Sequence, residues 1–113
     1  MNKVDNVLSF AFIIGHEMIH LYDSYNINKS LRNHFGNGTV GSNAILLYNE
    51  YRAYTWMDNL GYKTLSGNNL NILNIVKIAY ADRLNTNKSD LGTKAYNLFI
   101  EKYKFLDSIY KMP

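Results

Sequence analysis

The sequence predicts a mostly α-helical domain of about four helices, with at most a small β-hairpin. Three observations lead there. Apolar residues recur at helical spacing in four stretches. Clusters rich in Asn and Gly separate those stretches. The chain has 113 residues, 47% hydrophobic and 19% charged, which suits one globular domain with a modest core.

The first predicted helix covers about residues 4–25. Val7, Leu8, Phe10, Phe12, Ile13, Ile14, Met18, Ile19, Leu21 and Tyr22 lie all round it, which predicts a central, buried helix. Residues 26–42 read as a loop. Asn26, Asn28, Asn33, Gly36, Asn37, Gly38 and Gly41 punctuate it, and Thr39-Val40 is short enough for an extended piece. A second helix starts at Ser42 or Asn43, both good caps, and ends near Gly61. Its apolar stripe is Leu46/Leu47, Ala53/Tyr54, Met57 and Leu60. After a connection over 62–68, a third helix is predicted over 69–84, with Leu70, Leu73, Val76, Ile78 and Tyr80 inward. The polar run Asn85–Ser89 breaks it. A fourth helix covers 90–111 and buries Ala95, Leu98, Phe99, Leu106 and Ile109.

Composition narrows the chemistry. With no cysteine, disulfides and thiolate metal sites are excluded, so any metal must be held by His, Asp, Glu or backbone oxygen. The net charge is +3, and the basic excess falls after residue 60, where eight Lys/Arg face four Asp/Glu. Those bases are scattered singly, as on solvated helix faces, and predict no nucleic-acid partner. The run Val7–Ile14 is too short to span a bilayer. Asp5 and the lack of a small-x-small site argue against a cleaved leader, so the segment reads as soluble.

The chemistry concentrates at His16-Glu17-Met18-Ile19-His20. Histidines four apart on a helix stand on one face, with Cβ atoms about 5–6 Å apart. Both rings can then reach one zinc ion at about 2.0–2.1 Å. Glu17 flanks that face without competing as a ligand, so it can handle the proton of a metal-bound water. This is the H-E-x-x-H arrangement of zinc peptidases. Two core histidines satisfied by hydrogen bonds are the plainer alternative, but burying His, Glu and His together on an apolar helix without a metal is costly.

For the third ligand, a histidine six residues after His20 is ruled out, because Asn26 stands there. Glu50 is the best candidate. It interrupts the apolar stripe of the second helix between Leu46 and Ala53, and a carboxylate there needs a partner. A zinc ion is one such partner; Arg83 or Lys77 is the alternative. Asp23, on the same helix face as the histidines, can accept a ligating histidine's outer N–H, ligate directly, or solvate the helix end. His34, Tyr51 and Tyr54 are candidates to stabilise an oxyanion, with solvent exposure the simpler reading for His34.

Gly15-His16-Glu17-Met18-Ile19-His20, followed by Glu50-Tyr51-Arg52-Ala53, resembles gluzincin-type zinc metallopeptidases with a Glu-x-x-Ala third-ligand segment. The same run looks like bacterial effector and toxin metallopeptidases. His20-Leu21-Tyr22-Asp23 is similar, more weakly, to the mitochondrial ATP-synthase assembly protease family, although the cysteine associated with that family is missing. The resemblance covers about residues 12–57. It implies a zincin active-site helix, zinc held by His16, His20 and Glu50, Glu17 as general base, and a protein or peptide substrate. It also implies a sheet before the active-site helix. Only fifteen residues precede His16, so the expectation is a minimal helical version or the C-terminal part of a longer zincin domain, secreted or delivered with it. The rival from another class is a non-catalytic helical interaction domain, its zinc closed by Asp23 or His34.

Overall fold

In a computed structural model of the chain, residues 3–60, 71–86 and 89–113 are described, with side chains from residue 13 onward. They form five α-helices and, among the described residues, no strand: α1 (Lys3–Asn26), α2 (Asn28–Phe35), α3 (Thr39–Asn59), α4 (Ile72–Val76) and α5 (Leu91–Ile109). The mostly α expectation is met with one helix more than foreseen. No described helix is long and apolar enough to cross a membrane.

The added helix is α2, where a loop was expected. Ile27, Leu31 and Phe35 recur every four residues and all three are buried, so one apolar edge folds the stretch despite its asparagines. Gly36 ends α2 with φ at 89°, a left-handed conformation that favours glycine, and its N–H returns to the Arg32 carbonyl. Thr39-Val40 is not extended but forms the first turn of α3, which therefore begins before Ser42.

α3 is the axis of the fold and packs against α1, α2, α4 and α5. Leu47, Tyr48, Ala53, Tyr54 and Met57 are buried along it. From α5, Ala95, Phe99 and Leu106 complete the core, the two large side chains, Phe99 and Leu106, contributing about 1.5–3 kcal/mol each. Leu46, Leu60 and Ile109, expected inside, are exposed.

α1 is less central than expected. Gly15, Ile19 and Asp23 face α3 and are buried, while Ile14, Met18, Leu21 and Tyr22 stay exposed on the other side. The side chains of Val7, Leu8, Phe10 and Phe12 lie outside the described residues. Gly15 lets α1 lie close to α3, since a Cβ there would sit 2.8 Å from Met57 Sδ and 3.0 Å from Trp56 Cζ3.

The predicted third helix is interrupted. α4 runs into a π-helical turn over Lys77–Ala81, closed by the Asp82 N–H on the Lys77 carbonyl at 3.0 Å, and then a 3₁₀ turn over Arg83–Asn85. The wider turn rotates the residues after Val76 away from α-helical register, leaving Ile78 exposed rather than inward. Gly61, the connection over 62–68 and Leu70 lie outside the described residues.

Candidate functional site

His16 and His20 stand one turn apart on α1, their rings edge-to-face with centroids 4.5 Å apart. Glu50 comes from the middle of α3. One carboxylate oxygen, Oε2, lies 3.0 Å from His16 Nε2, and the other, Oε1, lies 2.9 Å from His20 Nε2. The three residues each offer one ligand-type atom, all within 4.8 Å of one another. Glu50 thus meets the two histidines rather than Lys77 or Arg83.

The three line an open cleft of about 310 Å³ with Ile13, Glu17, Tyr54 and Tyr80. Ile13 and Glu17 flank the histidines on α1, and Tyr54 follows Glu50 by one turn of α3. The π turn carries Tyr80, whose hydroxyl lies 3.3 Å from that of Tyr54 and also hydrogen-bonds Glu50. Tyr80 belongs to the site, although its spacing in the sequence assigned it only to the core.

The charges are set by these contacts. Burial is the largest single influence on Glu50 and works upward. The hydrogen bonds from His16 and His20, the His20 charge and the Tyr80 hydroxyl together outweigh it, and its carboxyl falls from 4.5 to about 2. The His20 imidazole is raised above 6.5, chiefly by its hydrogen bond to Glu50 and against the opposing effect of burial. Burial also raises the Tyr80 phenol, as does its bond to Tyr54.

Three other candidates stand elsewhere. Asp23 is fully buried and accepts from Arg52 Nε through both oxygens at 3.0 Å, so it neither joins the cluster nor solvates the helix end. His34, on α2, packs edge-on to Phe105 and Tyr110. The Tyr51 hydroxyl donates to Asp107 at 2.6 Å, beside that of Tyr48 at 2.8 Å. Of the proposed oxyanion donors, only Tyr54 reaches the cleft.

No protein-family model, curated protein or solved structure matches the chain.

Proposed function

We propose that the chain is a zinc-dependent peptidase domain of gluzincin type, in which His16, His20 and Glu50 hold the ion and Glu17 is the general base. The observation that carries this reading is the convergence of two imidazole nitrogens and a carboxylate in a cleft that Glu17 also lines. The donor set suits the ion. Tetrahedral bonds of about 2.0–2.1 Å place donor atoms roughly 3.3 Å apart, close to the spacing of Glu50 from both rings. Glu50 also keeps its negative charge far into the acid range, as an oxygen ligand for a cation must.

When bound, zinc would acidify a water molecule and polarise a substrate carbonyl. Glu17 sits beside the donors without being one of them, so its carboxylate can accept a proton and return it to the leaving amine. To Tyr54 and Tyr80, at the edge of the cleft, we assign hydrogen-bond donation to the oxygen that gains charge. An open site is favoured over a closed structural one by the placement of Asp23 and His34, the residues that would have closed it, against Arg52 and against Phe105 and Tyr110.

The test combines metal content with one substitution. Protein never exposed to chelator is expected to carry one zinc per chain and to cleave members of a mixed peptide library. Glu17→Gln should keep the zinc and lose hydrolysis, because the amide preserves shape without basicity. Metal far below one equivalent removes the reading; full activity in the variant places the base elsewhere.

A further inference from the structure

Arg52 and Asp23 form a fully buried ion pair that the chemistry above does not use. Their placement follows the metal site closely. Asp23 lies three residues after His20 on α1, and Arg52 two after Glu50 on α3, so the two helices are bridged twice within about one turn. Arg52 also donates from Nη1 to the Tyr110 carbonyl at 2.7 Å, just past the end of α5, and its guanidinium lies 5.8 Å from the centre of the Tyr48 ring. One arginine therefore ties α1, α3 and the C-terminal end of α5 together.

Such a pair is a poor source of stability, because desolvating two charges cancels most of their attraction. Burial does push the Asp23 carboxyl upward even with Arg52 beside it. Its value is geometric. Apolar packing at Gly15 and Ile19 holds α1 on α3 but is not directional, and a slip of one residue moves a helix by about 1.5 Å and turns it by about 100°. Metal bonds tolerate about 0.2 Å. Beside the Glu50 contacts, a second directional contact displaced along both helices resists such a slip.

We propose that Arg52 is a positioning residue of the His16–His20–Glu50 site: held by Asp23 and the Tyr110 carbonyl, it locks the register of α3 on α1 so that Glu50 presents one oxygen to each histidine. The part concerning metal rests on the zinc-peptidase reading; the part concerning register does not.

The test replaces the pair by apolar residues of similar size, Asp23→Leu with Arg52→Met, which leaves no buried charge unpaired and is expected to fold. Cobalt(II) affinity is measured by chelator competition, together with the visible spectrum of the bound ion. Metal-free register is read from the distance between spin labels at Ser24→Cys and Asp58→Cys, both exposed positions in a chain without native cysteine. Locking predicts a folded double variant with cobalt affinity reduced about 10–100-fold, an altered spectrum, and a broadened distance distribution. A melting temperature that changes while affinity, spectrum and distance stay as in the parent overturns the proposal. If the double variant fails to fold, Arg52→Lys takes its place; it keeps the charge but not the fork, and the same losses or their absence decide. A parent that takes up no cobalt defeats the zinc reading instead, and the label distances then decide the register lock alone.

Discussion

The strongest quantitative consequence of the site concerns the metal-free protein in acid. Glu50 has a side chain only 12% exposed and a carboxyl held at about 2 instead of 4.5. That gap corresponds to about 3 kcal/mol of folding stability. Because the folded value is depressed, the contribution is fully present above 4.5 and fades as pH falls toward 2. His20 has the opposite sign: its raised value contributes below 6.5 and is lost as pH climbs through the folded value. In chelator, the cluster should therefore stabilise the fold most between about pH 4.5 and 6.5. The assay is urea unfolding of the parent and of Glu50→Gln from pH 7 to pH 2. The variant keeps the volume but cannot ionise, so subtracting its curve removes the effect of other carboxylates. The parent's advantage should shrink by most of about 3 kcal/mol between pH 5 and pH 2, or about 10 °C in melting temperature for a chain of this length. Parallel curves across that range would refute the argument, because they would mean that Glu50 is not held by the histidines.

Other expectations follow from single contacts. Gly15→Ala should cost about 1–3 kcal/mol by crowding Met57 and Trp56, offset by up to about 1 kcal/mol of better helix propensity, and should weaken metal binding as α1 moves off α3; calorimetry and chelator competition measure both. Asn85→Ala should cost about 1–2 kcal/mol, because the Asn85 side-chain oxygen accepts the Gly92 and Thr93 N–H groups at the start of α5, and amide exchange at those two residues should quicken. His34→Ala should leave metal content and hydrolysis unchanged; loss of metal there would return His34 to the site.

The parts of the site that were legible in the sequence rest on two arguments. Helical spacing put His16 and His20 on one face, and the cost of a lone carboxylate in an apolar stripe singled out Glu50. The same cost argument applies to Arg52, two residues further along that stripe, but its partner lies 29 residues back and spacing within one helix does not reveal it. α2 was obscured because its asparagines signal a loop, while Ile27, Leu31 and Phe35 outweigh them through burial against the rest of the core. The exposed side of α1 was misjudged for a related reason: apolar residues all round a helix show what it could bury, not which neighbours exist to cover it. Tyr80 was assigned to a continuous helix and its core face, whereas it lies in a π turn that carries it to the cleft, since such a turn depends on tertiary packing and leaves no periodic mark.

The two carboxylates at the α1–α3 interface, Glu50 half-buried and Asp23 buried, show how environment divides their work. Glu50 meets two imidazoles and a phenol at the edge of a cleft, and these partners together overcome its desolvation, so its carboxyl falls. Asp23 has no exposed surface and one arginine, and its desolvation wins, so its carboxyl rises. A cation arriving from solvent can replace the protons on the Glu50 side, because the charge is already present and the path is open. At Asp23 an arriving ion would have to displace Arg52, which is itself bound to the Tyr110 carbonyl. The acid that is costly to ionise is thus the one fixed to the scaffold, and the acid that ionises readily is the one facing the cleft. An exchange of roles would need both environments to change, so Asp23→Asn should disturb helix register before it disturbs the charge at the histidines.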